Sequence, residues 1–476
     1  MLKFHNTLTG TTDEFSTLEP GKVRMYNCGP TVYGTQHIGN LSMFVFTDIL
    51  RRTLIAHGYE VKQVINFTDF GHLSGDNEGD PDAGEDKMTK GLKAEGLEPT
   101  LQNMHKLGEK YAGIFLNDIR ALNIVTEGVE FPYASEYVPQ QLKLVETLMR
   151  KGYGYVGSEG VYFDTSKFPE YGKLGNIDIK GLKEGARIGV VSEKQNPTDF
   201  LLWKYSDLGW DSPGGRGFPG WHIECSAMIL ALLGEQIDIH TGGIEHIPVH
   251  HNNEIAQSEA ATGKSPFSRF WLHRAHLQLN GSKIAKSDGN VVYLSEIIEK
   301  GYSPLALRYL LLQSHYRSPT NFTWEALDAA QTAWRKLNTI KLELNASVHE
   351  SGGPEHAEEL SPKAALYKEG FNGVMAEDLG TPQALALLWE ATRDTELSDL
   401  ERRHLIYHFD KVLGLNLDSD AFAITTIPAE VETLLLEREA ARLVKNWAKS
   451  DEIREKIRTL GYEVKDTENG QELSRI

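Results

Sequence analysis

Residues 23–28 read Val23-Arg24-Met25-Tyr26-Asn27-Cys28, an apolar-rich run typical of a β-strand, and Gly29-Pro30 ends it. A helical pattern follows over about residues 41–57, and residues 61–67 return as a second strand-like run. A strand, a helix and a strand at this spacing form one βαβ unit. The sequence therefore predicts an α/β protein with a parallel sheet.

Cys28 and Thr68 stand where these two strands end. In open α/β sheets, ligands bind beyond the carboxyl ends of the strands, so we expect both residues near a binding site. Cys28 and Cys225 are the two cysteines of the chain. They are either buried, inert thiols or two ligands of a metal site that needs two more.

Composition places limits on the class of protein. The chain has 476 residues, of which 40% are hydrophobic and 24% charged, so we expect a large domain with appended pieces. No apolar run approaches the ~18 residues of a membrane span. The first residues lack the apolar stretch of a signal peptide, which favours a cytoplasmic protein with no membrane partner.

The net charge of −18 is only a weak argument against a nucleic-acid partner, because phosphate contacts depend on local charge. Residues 438–458 carry seven Lys/Arg against four Asp/Glu, which is either a solvated helix face or a nucleic-acid contact. We predict a helix over about 429–446 and a second one capped by Ser450, with Ile453, Ile457 and Leu460 buried. The acidic stretch 76–86 is predicted to be a solvated loop.

His250 and Glu254 stand four residues apart, so on a helix they share one face. Such pairs are mostly solvated neighbours, but together with the two cysteines they make four ligands that suit zinc. His251 is a rival for the imidazole position. Adjacent side chains on a helix diverge by about 100°, so only one of the two histidines is expected to fit.

Two further motifs are typical of phosphate binding. Thr35-Gln36-His37-Ile38-Gly39-Asn40 precedes the first helix, where a ring nitrogen and backbone N–H groups can hold phosphate oxygens. Residues 283–290 read Lys283-Ile284-Ala285-Lys286-Ser287-Asp288-Gly289-Asn290, with two lysines three apart. Each motif alone is short, and a capping turn or a surface lysine pair is the commoner explanation of each.

Taken in order, these motifs resemble the cysteinyl-tRNA synthetases, a family of class I aminoacyl-tRNA synthetases. The resemblance spans essentially the whole chain, and further matching runs are 27–33, 197–204, 220–228, 250–257 and 378–382. The chain departs from the family at Ser42, where Arg is usual, at Ile284 and Ala285 in the lysine motif, and in the inserted loop 71–84.

The resemblance implies roles for individual residues. Its zinc ligands correspond to Cys28, Cys225, His250 and Glu254. Its catalytic and ATP-binding positions correspond to His37, Asn40, Glu245, Lys283 and Lys286. Its substrate pocket corresponds to Thr68 and Trp221. Its anticodon readers correspond to Arg442, Trp447, Asp451 and Asp466.

The resemblance also implies a Rossmann-type catalytic domain, a helical domain and a small anticodon-binding unit. We expect catalytic halves at 1–113 and 196–290, a mixed α/β insertion at 114–195, a helical domain at 291–425 and the anticodon unit at 426–476. The implied activity is ATP-dependent activation of L-cysteine and its transfer to tRNA(Cys). We also expect one Zn²⁺ per chain, Mg²⁺ bound with ATP, and a monomer. The alternatives are a ligase that joins cysteine to an amino sugar and a non-catalytic nucleotide-binding relative.

Overall fold

The computed structural model describes residues 1–72, 85–177, 194–283, 290–350 and 360–417, and nearer the end 431, 434–435, 437–438, 441–442, 446–460, 462–467 and 470–475. The chain divides into two compact units, Met1–Asp418 and Ser419–Ile476. None of the helices in these ranges is long and apolar enough to cross a membrane.

The strands of the described ranges are β1 Lys3–Asn6, β2 Thr11–Glu14, β3 Lys22–Asn27, β4 Glu60–Ile65, β5 Val129–Glu130, β6 Gly154–Val156, β7 Gly160–Phe163, β8 Phe200–Trp210, β9 Gly217–Pro219, β10 Ile237–Gly243, β11 Ser268–Arg274, β12 Leu277–Leu279, β13 Ser282–Lys283, β14 Thr320–Phe322, β15 Tyr462–Thr467 and β16 Gly470–Arg475. The α-helices are α1 Ile38–Ala56, α2 Lys87–Ala94, α3 Leu101–Ala121, α4 Val138–Arg150, α5 Trp221–Leu232, α6 Asn252–Thr262, α7 Leu294–Glu299, α8 Pro304–Leu312, α9 Trp324–Glu350, α10 Pro362–Ala376, α11 Thr381–Arg393, α12 Asp399–Leu413 and α13 Trp447–Thr459.

A five-stranded parallel sheet forms the centre of the first unit, in the order β11-β10-β3-β4-β5. The chain moves from β3 outward through β4 to β5, and then returns to the other side of β3 for β10 and β11. This is the strand order of a doubly wound, Rossmann-type sheet. The order reverses between β3 and β10, which is the topological switch point. The predicted parallel α/β fold is confirmed.

Helix α1 begins at Ile38, three residues before the predicted start. His37 is its N-cap, and the Nδ1 atom of His37 accepts a hydrogen bond of 3.2 Å from the backbone N–H of Asn40. The His37–Asn40 motif therefore lies in the first helical turn. The capped N–H is one of the first four of the helix, which have no carbonyl partner within the helix. The sequence pattern missed this start since His is a rare N-cap residue.

The second sheet of the first unit is antiparallel, with the order β6-β7-β8-β9. Strand β9 ends at Pro219, and Gly220 leads directly into α5, so this sheet delivers the helix that carries Cys225. From residue 294 onward the first unit is mostly helical. The five-part division of the chain stays a prediction.

A buried ion pair joins the helical region to the central sheet. Arg308 on α8 and Asp48 on α1 are fully buried, and Arg308 Nη2 lies 2.5 Å from Asp48 Oδ2. Arg308 also donates hydrogen bonds to the carbonyl oxygens of Leu413, at 2.7 Å, and Leu122, at 3.0 Å. One guanidinium group therefore holds α1, α8, and the ends of α3 and α12 together.

The second unit contains α13 and the hairpin β15–β16. Asn446 caps α13, because its side chain accepts from the backbone N–H of Lys449, and the predicted cap Ser450 lies inside the helix. Ile453 and Ile457 are buried as predicted. Leu460 is 38% exposed, so that part of the prediction is wrong: it stands at the end of the helix, beyond the buried stripe.

We predict that Asp48→Ala lowers the free energy of unfolding by about 3–5 kcal/mol, because it leaves the buried Arg308 charge without its partner. Urea denaturation followed by circular dichroism measures this change. The control is Glu377→Ala, which breaks an exposed pair with Lys3 whose side chains are 60% and 47% exposed. Its effect should stay below about 1 kcal/mol, and equal losses in the two variants would contradict the prediction.

Candidate metal and substrate site

Cys28 is the first residue beyond β3, at the switch point of the sheet. Its backbone N–H donates to the carbonyl oxygen of Thr241 on β10, at 3.3 Å. The next residue must be glycine, since a Cβ at Gly29 would lie 1.5 Å from the carbonyl oxygen of Asn66. The chain can turn away from the sheet here only because Gly29 allows this close approach.

Cys225 lies on the first turns of α5, and both cysteines are buried and free of disulfides. Burial raises the pKa of the Cys28 thiol well above its usual value. The hydrogen bond from Cys28 lowers the pKa of Cys225 to about 6. Of the two thiols, Cys225 is therefore the one that more readily becomes a thiolate.

Residues Ile247–His251 form a π-helical turn that continues directly into α6. Such turns occur mostly as single insertions in helices and are frequent at functional sites. Both His250 and His251 belong to this turn and are buried. Glu254 follows in the first turn of α6 and is fully buried.

The side chains of these segments meet in one cluster. One donor atom from each of Cys28, His250, His251 and Glu254 lies within 4.8 Å of the other three. His250 Nε2 is 3.0 Å from Glu254 Oε1 and 3.7 Å from Cys225 Sγ. All four ligands that the resemblance implied are thus brought together, although they come from three segments of the chain.

His251 also reaches the cluster, and its Nε2 atom lies 3.3 Å from Cys28 Sγ. The expectation that only one of the two histidines fits is therefore wrong. It assumed the angular spacing of an α-helix, whereas a π-helical turn has more residues per turn, so successive side chains diverge less. The structure offers five donors for an ion that takes four in tetrahedral sites.

The electrostatics of the cluster are dominated by Glu254. Burial alone would raise its pKa, but the imidazoles of His240 and His250 outweigh burial and lower it to about 2. Burial alone would lower the pKa of His250, but Glu254 and Cys225 raise it to about 9. A divalent cation bound here would pair with the buried Glu254 carboxylate and with a Cys225 thiolate.

A second layer of histidines holds the donors in place. His222 Nδ1 lies 2.8 Å from His250 Nδ1, His240 Nε2 lies 2.9 Å from Glu254 Oε2, and His251 Nδ1 lies 2.7 Å from His273 Nε2. Hydrogen bonds to the outer atoms of the ligands are characteristic of metal sites. With thiol, imidazole and carboxylate donors, the residues fit a borderline-soft ion such as zinc.

The predicted substrate residues lie beside this cluster. The indole of Trp221 is stacked between the rings of His72, at 4.0 Å, and His250, at 4.2 Å. Thr68 Oγ1 donates to Glu224 Oε2, at 3.1 Å. Burial raises the pKa of Glu224 well above its usual value, and the nearby Cys225 adds to this effect.

Sequence reasoning missed His72 and Glu224, and it missed the second-layer histidines. One signal was available, since seven of the 17 histidines lie between residues 222 and 276. Glu224 lies next to Cys225 in the run 220–228 that resembles the family, but nothing in the sequence indicated a chemical role for it. His72 lies at the edge of the inserted loop 71–84, which the family pattern lacks, so the resemblance could not identify this residue.

The first predicted ATP motif lies against the chain that follows the second one. His37 pairs with Tyr293 through an isolated backbone bridge, and the N–H of Ile38 donates to Val292, at 3.0 Å. The chain that follows the lysine motif therefore returns to the first motif. Lys286 lies outside the described residues, and of Lys283 only the backbone, in β13, is described.

Two further positions that the resemblance singled out are Glu245 and Ser42. Glu245 lies in the short turn after β10, at the carboxyl edge of the sheet, with Oε2 3.5 Å from His276 Nδ1. Ser42, where the resembling family usually has Arg, accepts a hydrogen bond of 3.0 Å from Arg274 Nε. Arg274, at the end of β11, thus places a guanidinium group beside α1, where the resembling family usually has an Arg on the helix itself.

In the second unit, Trp447 is 55% exposed, so it is not a core residue. The guanidinium of Arg442 lies 5.5 Å from the centre of its ring. Asp451 forms an ion pair of 3.3 Å with Arg454. The backbone of Asp466 belongs to β15, and its side chain lies outside the described residues.

Two family models match the chain. The model described as "tRNA synthetases class I (C) catalytic domain" matches residues 14–332. The model described as "Cysteinyl-tRNA ligase anticodon binding domain" matches residues 425–473. The first covers the central sheet and the candidate metal cluster, and the second covers most of the described part of the second unit.

Similar proteins match over nearly the whole chain. A cysteine–tRNA ligase of Treponema denticola is 40% identical and one of Burkholderia lata 42%, with 98% and 99% of this chain covered and 98% and 96% of those proteins. Methionyl-tRNA synthetase of Mycobacterium tuberculosis, solved with methionyl-adenylate, has a TM-score of 0.58 at 15% identity, with 83% of this chain and 90% of that chain covered. The last match confirms the class I synthetase fold.

We predict one divalent metal ion per chain, and Cys225→Ser should lose most of it, because a hydroxyl is a poor replacement for a thiolate ligand. Elemental analysis of the purified protein measures the metal content. We expect His250→Ala to lose the ion and His251→Ala to keep it, since His250 contacts both Glu254 and Cys225. The reverse result would assign the imidazole to His251 and contradict the predicted set.

Proposed function

The chain belongs to the cysteinyl-tRNA synthetases of class I, and we propose that it selects L-cysteine by binding the substrate thiolate to a zinc ion held by Cys28, Cys225, His250 and Glu254. The observation that carries this proposal is the buried cluster of Cys28, His250, His251 and Glu254 at the switch point of the sheet, with Cys225 Sγ 3.7 Å from His250 Nε2. The cluster lies beyond the carboxyl ends of the strands, where open α/β sheets bind their ligands, and the substrate thiolate would take an added position on the ion.

Selection of cysteine is a difficult recognition problem, because serine and alanine are of similar size. An apolar pocket separates such neighbours by only ~1–3 kcal/mol. Bound zinc would supply a bond to a thiolate that a hydroxyl or methyl group cannot match. His222 and His240 would keep the imidazole and carboxylate ligands in orientation.

Activation of cysteine requires its carboxylate to attack the α-phosphate of ATP while pyrophosphate leaves. Positioning and charge stabilisation provide most of the rate enhancement in such a reaction. We assign the α-phosphate side to His37 and Asn40, the ribose to Glu245, and the leaving phosphates to Lys283 and Lys286, with Mg²⁺ accompanying ATP. Thr68 and Trp221 would hold the amino acid.

We assign recognition of the anticodon of tRNA(Cys) to residues 426–476, through Arg442, Trp447, Asp451 and Asp466. Loop bases are recognised by stacking and by hydrogen bonds to their edges. The exposed indole of Trp447 is available for such stacking. We also propose that the enzyme is a cytoplasmic monomer and that its first unit has the catalytic halves, the insertion and the helical domain expected from the sequence.

The match of residues 425–473 to an anticodon-binding domain weighs against the amino-sugar ligase, which has no such module. The presence of both ATP motifs and of the metal cluster weighs against a non-catalytic relative. A non-catalytic relative would not form cysteinyl-adenylate. The amino-sugar ligase would form it but would not transfer cysteine to tRNA.

We predict that ATP–pyrophosphate exchange occurs with cysteine and is at least about 10³-fold slower with serine or alanine, since a metal–thiolate bond adds to what a pocket alone achieves. The exchange should disappear after treatment with a chelator and return on addition of Zn²⁺. Exchange with serine at a rate close to that with cysteine would contradict selection by the metal. Exchange that survives complete removal of zinc would do so too.

We predict that Trp447→Ala lowers tRNA affinity by ~1–3 kcal/mol, the usual contribution of a base–aromatic stack. Filter binding measures the affinity. Cysteine-dependent pyrophosphate exchange without tRNA should stay at the wild-type rate, because the side chain is not part of the adenylate site. The matched control is Leu460→Ala, an exposed apolar residue at the other end of α13. An equal loss of affinity in both variants would contradict a specific stacking role.

A further inference from the structure

A small cavity lies where the end of β11 meets α1, the end of α8 and the beginning of α11. Its volume is about 20 Å³, and Arg274 forms part of its wall. We propose that this cavity binds one small monovalent anion of the size of chloride, held by Arg274 and by the first turn of α11. Among the described residues that line it, none is assigned to zinc, cysteine, ATP or tRNA, so the proposal does not depend on the proposed function.

Arg274 brings a positive charge into the interior without a counter-charge. The residue is 4% exposed, and its Nε atom donates to Ser42 Oγ, at 3.0 Å. Its Nη2 atom has no hydrogen-bond partner among the described residues. Burial lowers the pKa of Arg274 to about 10, and this value leaves the guanidinium charged at neutral pH. A buried charge is tolerated when it is paired, so an anion is the guest that this wall favours.

The carboxylate of Asp378 is not available to Arg274. Asp378 precedes Leu379, which lines the cavity, but both of its oxygens are engaged elsewhere. Oδ1 accepts from the hydroxyl of Tyr316, at 2.5 Å, and Oδ2 accepts from Arg317 Nε, at 2.7 Å. Of the described acidic side chains, none forms an ion pair with Arg274. The counter-charge therefore has to come from outside the described part of the chain.

The opposite wall of the cavity is the amino-terminal end of α11. This helix has 13 residues, and its N-cap is Gly380, which makes no side-chain cap. The positive end of a helix attracts anions. The hydroxyls of Thr381 and Ser314 also line the cavity and make no hydrogen bond within the described ranges. A guanidinium group, a helix terminus and two hydroxyl donors thus converge on one small space.

The size of the cavity limits the guest to a single small ion. A water-sized guest needs about 10–15 Å³, so 20 Å³ is too small for a phosphate or a carboxylate ligand. A water molecule would fit, but it would leave the charge of Arg274 without compensation. The remaining walls are mostly apolar, which strengthens the attraction between an anion and the guanidinium. The apolar lining residues are Val45, Phe46, Ile49, Leu311, Leu312 and Leu379.

The ion would connect the central sheet with the helical region. Arg274 binds Ser42 on α1, and the Ser42 hydroxyl donates to the carbonyl oxygen of Gly39, at 2.7 Å, in the first turn of that helix. The next residue, Ala275, donates its backbone N–H to Tyr316, at 2.9 Å. An anion between Arg274 and α11 therefore adds a link between segments that are far apart in the chain. We expect it to stabilise the folded state.

The test is thermal melting of the purified full chain in potassium chloride and in potassium methanesulfonate at equal ionic strength. The methanesulfonate ion is too large for the cavity. The Tm of the wild type should be about 2–4 °C higher in chloride, because an ion that binds only the folded state raises the Tm. Arg274→Gln should have the same Tm in both salts. Crystals of the wild type soaked in potassium bromide should show an anomalous-scattering peak beside Arg274.

The matched control is Arg269→Gln, on the same strand, whose guanidinium donates to Ser16 Oγ, at 2.8 Å, outside the cavity. It should keep the full response to chloride. Thr381→Val, which keeps the shape of the side chain and removes the hydroxyl, should need a higher chloride concentration for the same rise, and it serves as the test if Arg274→Gln does not fold. An equal rise in the wild type and in Arg274→Gln would reveal a general salt effect and overturn the proposal. A wild type without a chloride response, or a cavity without a bromide peak, would overturn it too.

Discussion

The carboxylate of Glu254 is wholly buried, and a buried charge must be paired and hydrogen-bonded to be tolerated. Its pairing with His240 requires α6 to lie against β10, whereas its pairing with His250 is local, because His250 is in the π-helical turn that continues into α6. This constraint explains why α6, with Asn252, Asn253, Gln257 and Ser258 in its first turns, is nevertheless buried in the core. Each polar group of such a helix needs a partner, and Gln257, for example, donates to the Ser226 hydroxyl at 2.6 Å.

The order of the strands makes this pairing possible. Strands β3 and β10 are neighbours at the switch point, so the chain leaves them in different directions and opens a crevice between. Cys28 enters the crevice from β3, and the π-helical turn enters it after β10. The antiparallel sheet β6–β9 delivers α5 to the same place, which completes the set of donors with Cys225. Methionyl-tRNA synthetase, at 15% identity, has the same fold, which indicates that the scaffold tolerates wide change in sequence.

The region around the donors is packed with rings. Trp221 is stacked between His72 and His250, and His240 is stacked on Trp271 at 4.5 Å. Stacked rings restrict rotation of the imidazoles and exclude water, and both effects favour a fixed ligand geometry. A pocket of this kind can recognise a small substrate through a few well-placed groups.

The sequence alone determined the parallel α/β sheet, because hydrophobic periodicity and the Gly29-Pro30 break are local properties. It also allowed the two ATP motifs, the two cysteines and the His250–Glu254 pair to be identified as one family's pattern. It could not show that His251 reaches the same cluster, since that depends on a π-helical turn whose extra residue has no local signature. Only the tertiary structure decided which groups surround the ligands. His222, His240, His273 and Glu224 are placed by contacts between segments far apart in the chain, and such contacts depend on how the strands are ordered and how the helices pack against them.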